Sequence, residues 1–231
     1  MLGGGSFGST MARIIARAVV NDSGSSFFDA DVSWFIYEEE VAAEVNRLRT
    51  NGRYLAGAVF PSNLHASSNI VTAAAGATIL VVAIPSQFLA STLGPLRGAL
   101  EPRCVVLSVV KSLHYDGQSL GLPSSDILAL LGERPLCVLC GPNIYSEMKT
   151  DDGFAEATIG FEPKDASLAS LMTALVGTDA FAARAVADRV GVEAAGALKN
   201  IVALGVGFAE GAGHGANTRA ALIRVGLLEM A

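Results

Sequence analysis

The chain predicts an α/β fold: a doubly wound parallel sheet followed by the start of an all-helical C-terminal domain. Three observations carry that reading. Short, almost continuously apolar runs alternate with helical segments along most of the sequence. The pattern Gly3-Gly4-Gly5-Ser6-Phe7-Gly8 fits G-x-G-x-x-G and leads straight into a helical run, Ser9 to Val20. After Val190 the composition shifts to alanine and glycine with few charges.

The strand candidates are Val32–Tyr37, Thr78–Ile84, Cys104–Val110, Leu136–Cys140, Ala157–Phe161 and Ala180–Ala185. Their apolarity is continuous, not alternating, as a parallel strand requires when helices cover both faces. Between them lie helix candidates at Glu38–Arg49, Gln87–Leu100, Ser124–Leu131 and Ala166–Val176, with Ser124-Ser125-Asp126 offering N-cap chemistry to the third. Together with the glycine loop this is a Rossmann-like arrangement. The stretch from Val192 to Gly213, charged only at Glu193, Lys199 and Glu210, reads as a buried helix opening a second domain, and a further helix spans Thr218 to Met230. The expected division is a nucleotide-binding domain over 1–188 and the beginning of a helical substrate and dimerisation domain over 189–231. Only Met1 and Leu2 remain for the strand that should precede the glycine loop, and the sequence stops in apolar helix, so both ends read as cut.

Half of the 231 residues are apolar, enough for a substantial core. A net charge of −6 argues against general affinity for nucleic acid or anionic membranes. No apolar run approaches the ~18 uncharged residues needed to span a bilayer, and Arg13 and Arg17 within the first helical run do not suit a secretory signal. A soluble cytoplasmic protein is expected. Cys104, Cys137 and Cys140 read as buried thiols, because residues three apart on a strand face opposite sides and cannot easily share a metal or a bridge. The histidines, His65, His114 and His214, lack zinc-ligand spacing, so no metal is expected.

The chemistry concentrates where ligands bind in open α/β sheets, outside the carboxyl ends of the strands. In the glycine loop Gly3 would make the tight turn, Gly5 would leave room for a pyrophosphate and Gly8 would pack helix against strand. Glu38, after the second strand, is placed to hold ribose hydroxyls, which favours NAD over NADP; the alternative is a solvated first helical turn. Phe88, in Ile84-Pro85-Ser86-Gln87-Phe88, offers an aromatic face, and Lys111 emerges at the end of its strand, either at the crevice rim or simply solvated. Lys199 stands among Gly196, Ala197, Leu198, Ile201 and Ala203. An amine there must snorkel, find a partner or lose its proton, and a lysine with a lowered pKa exchanges protons near neutrality. Asn200 beside it adds a donor and an acceptor.

Several of these segments, taken in order, resemble NAD-dependent glycerol-3-phosphate dehydrogenase of the eukaryotic type. They are Gly3–Gly8, Trp34–Glu39, Ile84–Phe88, Val109-Val110-Lys111, Gly141-Pro142-Asn143-Ile144, Ala157–Gly160, Gly196-Ala197-Leu198-Lys199-Asn200 and Asn217–Arg224 with Gly226–Met230. The resemblance implies interconversion of glycerol 3-phosphate and dihydroxyacetone phosphate with NAD, by a cytoplasmic homodimer with no nucleic-acid or membrane partner. It makes Lys199 the proton-transfer lysine, and Lys111 and Asn200 substrate contacts. Gly3, Gly5, Ser6, Phe7 and Gly8 match the pyrophosphate loop, while Tyr37 and Phe88 match aromatic positions lining the cofactor. Tyr145 stands near the family's cofactor site where a small residue is usual, and is tolerated there if the contact is made by backbone. Two other readings stand beside this one: another two-domain dehydrogenase acting on 2-hydroxy or 3-hydroxy acids, and a nucleotide-binding or dimerisation module without catalysis.

Overall fold

The computed structural model describes residues 1–21, 28–115, 117–149 and 153–230. Strands β1 (Val32–Phe35) and β2 (Leu64–Ser67) pair in parallel. Beyond them lie β3 (Ile79–Val82), β4 (Val105–Ser108), β7 (Leu136–Cys140), β8 (Ala155–Gly160) and β9 (Phe181–Val186), hydrogen-bonded in that order. Met1 and Leu2 occupy the slot between β1 and β3. The Leu2 amide donates to Val81 O at 2.7 Å, and its carbonyl accepts from Ala83 N at 2.9 Å. On the other side Phe35 N donates to Met1 O at 2.9 Å, and Gly3 N donates to Phe35 O at 3.0 Å. The spatial order is therefore β2-β1-(1–2)-β3-β4-β7-β8-β9, the doubly wound order of a Rossmann sheet.

The two-sided burial inferred from the apolar runs is visible residue by residue. Trp34, Ile36, Val81, Leu107, Cys137 and Leu139 point into one core cluster, and Phe35, Leu80, Val82, Val106 and Val138 into the other. The first is covered by α1 (Ser6–Asn21), α2 (Glu39–Leu48) and α6 (Ala169–Val176). The second is covered by α3 (Ile70–Ala74), α4 (Leu89–Leu93) and α5 (Pro123–Leu131). All three cysteines are free and buried, and burial pushes the Cys137 thiol up to about 11.

Several expectations are corrected. The sheet is not parallel throughout: β7 and β8 are antiparallel. The described residues between them hold no α-helix, the element that usually returns a chain for parallel pairing. Strand β2 and an antiparallel hairpin, β5 (His114–Tyr115) with β6 (Leu120–Gly121), were not anticipated. The single helix expected over Gln87–Leu100 is a 3₁₀ turn, α4 and a second 3₁₀ turn, because Gly94-Pro95 removes helix propensity and a donor. Ser124-Ser125-Asp126 does not cap α5. The helix starts at Pro123, and the Ser124 amide is capped from outside by the carboxylate of Glu193, at 2.8 Å.

Glu193 lies on α7 (Arg189–Gly211), whose N-cap Asp188 accepts from Gly191 N at 2.8 Å. This helix is not the buried element expected. Its first turns pack on β7 and β8 and its second half packs on α8 (Ala216–Met230), leaving Ile201, Leu204 and Phe208 exposed. Among the described residues α7 is the one helix long and apolar enough to cross a membrane, a property that a scan for uncharged runs passes over. Its charges Glu193 and Lys199 are engaged with the sheet domain. Gly196 permits that docking, since a Cβ there would overlap the Cys140 sulfur.

Glu193 is 2 % exposed, and burial raises its pKa against the opposing pull of Ser124 and Arg189. Its second oxygen accepts from Ser124 Oγ at 2.5 Å, while Arg189 bonds Ser124 Oγ and holds Glu162 at 2.9 Å. Glu193→Ala leaves the Ser124 amide and the Arg189 guanidinium without this partner. It is expected to destabilise the fold by about 3 kcal/mol, read as a lower midpoint in urea unfolding. Glu193→Gln keeps an acceptor for the Ser124 amide and should lose less.

Candidate dinucleotide site and the lysines beside it

The glycine loop sits at the carboxyl end of the Met1–Leu2 segment, and α1 begins at Ser6. Gly3 has φ +116°, a conformation that L side chains rarely adopt, and a Cβ there would overlap Ala83 O. A Cβ at Gly8 would overlap Gly3 O, so the head of α1 can lie directly on the turn. At Gly5 a Cβ would meet nothing within 4 Å, and Gly5 lines the cleft. The three glycines thus meet the three demands of the motif separately, and the free amides at the N-terminus of α1 suit an anion.

The cleft measures about 1160 Å³ and runs along the carboxyl ends of the parallel strands. Gly3, Gly5, Ser6, Phe7 and Gly8 line it, together with Tyr37, Phe88, Tyr145 and Lys111, so the expected loop and aromatic residues converge. Tyr37 is 82 % exposed and Phe88 53 %, which leaves both rings open to a ligand in the cleft. Glu38 lines the same cleft, and its carboxylate accepts from the Tyr54 hydroxyl. Arg53 Nη1 lies 3.9 Å from Glu38 and 3.6 Å from Glu40.

The loop carbonyls are held from behind. Trp34 Nε1 donates to Gly3 O at 2.8 Å, and Ser9 Oγ and Asn51 Nδ2 donate to Gly4 O at 3.0 and 3.3 Å. Asn51 and Tyr54 were not singled out from the sequence. Asn51-Gly52 reads there only as a turn dipeptide, and nothing local shows that its amide reaches back to the loop.

Lys111 Nζ stands 3.7 Å from the centroid of the Phe7 ring, inside the cleft. Burial, and then repulsion from Lys199, lower its pKa to about 8. Lys199 is half-buried and donates to Gly141 O, and burial lowers its pKa also, opposed by Cys140. It therefore neither snorkels freely nor opens on the cleft itself. It bonds the carbonyl of Gly141, two residues before the cleft-lining Asn143, and stands near enough to Lys111 to lower its pKa. Asn200 is exposed on α7 and does not line the cleft, so the structure does not bring it to Lys111 and the glycine loop. Among the described residues no cluster of His, Cys, Asp or Glu could hold a metal.

An opening over a G-x-G-x-x-G turn, at the topological switch of a doubly wound sheet, places this chain among the dinucleotide-binding α/β proteins. Comparison with known proteins narrows the class. The profile for the NAD-dependent glycerol-3-phosphate dehydrogenase N-terminus matches residues 1–167, and that for the C-terminus matches residues 188–231. The cytoplasmic NAD-dependent glycerol-3-phosphate dehydrogenase of Rattus norvegicus is 38 % identical over 235 residues, which cover 100 % of this chain and 65 % of that protein. Among solved structures, the Plasmodium falciparum glycerol-3-phosphate dehydrogenase superposes with TM-score 0.89 at 28 % identity, covering 99 % of this chain and 63 % of the other. The Saccharomyces cerevisiae enzyme gives TM-score 0.88 at 31 % identity, covering 99 % and 67 %. The chain belongs to the NAD-dependent glycerol-3-phosphate dehydrogenase family. It spans about 65 % of the length of the curated relatives it matches.

Proposed function

We propose that the protein acts in the interconversion of sn-glycerol 3-phosphate and dihydroxyacetone phosphate, with residues 1–188 holding NAD and the helices from residue 189 beginning the substrate domain. The observation that carries the reading is the convergence of Lys111, the glycine loop and the exposed aromatic rings on one cleft, with Lys199 close enough to Lys111 to lower its pKa. Gly3, Gly5, Ser6, Phe7 and Gly8 would hold the pyrophosphate, and Glu38 the adenine ribose. Tyr37, Phe88 and Tyr145 would flank the rings. When bound, NAD supplies the hydride acceptor or donor.

This chain's own task is the proton and the charge. Neutral Lys199 takes the hydroxyl proton in oxidation, and protonated Lys199 returns it to the carbonyl oxygen in reduction. Lys111 attracts the anionic substrate into the cleft. Asn200 is assigned as a further substrate contact on the resemblance alone, and its exposed position requires α7 or the substrate to close the gap. A homodimer fits the same reading, supported by the exposed apolar residues of α7 and by Leu227 and Leu228 of α8, and the names of the relatives support a cytoplasmic location.

The test is consumption of NADH with dihydroxyacetone phosphate. No consumption, or a Lys199→Ala protein as active as the unsubstituted one, rejects the reading. A 2-hydroxy or 3-hydroxy acid that outcompetes the phosphate ester would move the protein to another dehydrogenase class.

Cofactor choice provides a separate check. Glu38 repels a 2′-phosphate, and Arg53 stands beside it. Glu38→Ser is expected to shift the NADPH-to-NADH preference by about tenfold or more toward NADPH, as measured by the two KM values.

A further inference from the structure

We propose that the turn from Asn51 to Tyr54, between α2 and β2, is a two-point positioning device for the cofactor, holding the pyrophosphate loop through Asn51 and the ribose carboxylate through Tyr54. The inference rests on the assignment of the cleft to NAD and goes beyond it by naming residues that act through the glycine loop and the Glu38 carboxylate.

Asn51 is fully buried, and its side-chain atoms are all engaged. Nδ2 donates to Gly4 O at 3.3 Å and to Ser9 Oγ at 3.0 Å, while Oδ1 accepts from Tyr54 N at 3.1 Å. Ser9 Oγ in turn donates to Gly4 O at 3.0 Å, closing a triangle behind the loop. In a trans peptide the carbonyl of one residue and the N–H of the next point in opposite directions. Fixing Gly4 O inward therefore turns the Gly5 N–H away from Asn51, and Gly5 lines the cleft. The cleft is the side on which a phosphate is expected. Were this peptide to rotate, a carbonyl oxygen would face the phosphate instead, exchanging a favourable dipole for a repulsive one. The same turn orders the other end of the site: Tyr54 takes its backbone position from Asn51 Oδ1, and its hydroxyl donates to Glu38.

The critical variant is Asn51→Asp. It keeps the size and the acceptor for Tyr54 N, but it removes both donors and offers Ser9 Oγ a carboxylate in place of Gly4 O. The KM for NADH, and the inhibition constant of ADP, should each rise about tenfold or more. Inhibition by adenosine, which carries the ribose but no phosphate, should change less than about twofold, and so should kcat at saturating NADH. A general loss of structure would move all four together. Ser9→Ala, which removes the other hold on Gly4 O, should reproduce the phosphate-selective loss in milder form and carries the test if Asn51→Asp does not fold. Tyr54→Phe should weaken adenosine and NADH alike. A folded Asn51→Asp or Ser9→Ala protein that binds NADH and ADP like the unsubstituted one overturns the proposal while leaving the NAD reading intact. Failure of the unsubstituted protein to bind NADH overturns both.

Discussion

Replacing Lys199 by alanine is expected to lower kcat for dihydroxyacetone phosphate reduction by about a thousandfold, within the range that a positioned acid–base group contributes, with little change in the affinity for NADH. The affinity should survive because Lys199 bonds Gly141 O and none of the residues assigned to NAD. The pH dependence of the unsubstituted protein gives the second readout, and its sign follows from the lowered pKa of Lys199. With Lys199 as the proposed base, oxidation draws on the neutral amine, so its rate should rise with pH through that pKa. Reduction requires the ammonium and should fall over the same interval. Lys111, lowered to about 8, adds a separable effect: the KM for the phosphate substrate should rise as pH passes about 8 and its ammonium is lost. Profiles for oxidation and reduction that move in the same direction would exclude Lys199 as the proton carrier.

Gly5→Val is expected to weaken NADH binding by about a hundredfold or more, roughly 2.7 kcal/mol, without lowering the unfolding midpoint appreciably. The prediction follows from what surrounds each glycine. A Cβ at Gly5 would meet nothing within 4 Å, so a side chain there should cost the fold little while occupying the space expected for pyrophosphate. Gly8→Ala differs in kind, because its methyl group would overlap Gly3 O. There both stability and binding should fall. Measuring NADH affinity by fluorescence and stability by thermal unfolding separates the two cases. A Gly5→Val protein that still binds NADH tightly would remove the pyrophosphate from this turn.

Much of the sheet was legible because burial on both faces leaves a mark that single residues carry. Leu80, Val81 and Val82 are apolar in succession since each faces a core. The nucleotide loop was legible because the positive φ of Gly3 and the close approach at Gly8 demand glycine at the spacing the motif fixes. Less legible were features decided by distant partners. The start of α5 depends on Glu193, a residue 69 positions later, which outcompetes the local serines as a cap. The burial of α7 could not be judged from composition, because an Ala/Gly-rich helix suits a packed interior and a docked surface equally well. Leu64–Ser67 was too short and too polar to declare itself a strand, and it owes its pairing to β1. Asn51 illustrates the limit most clearly, for its partner on the loop lies 47 residues away.

The placement of Met1 and Leu2 has a consequence for the whole domain. Among the described residues, the backbone ladder that stitches β1 to β3 runs through these two positions, immediately before the glycine turn. The weld between the two wings of the sheet and the cradle for the cofactor are thus one continuous piece of chain. Whatever grips the cradle also clamps the weld, so cofactor occupancy and the cohesion of the sheet are thermodynamically linked, and each strengthens the other by mass action.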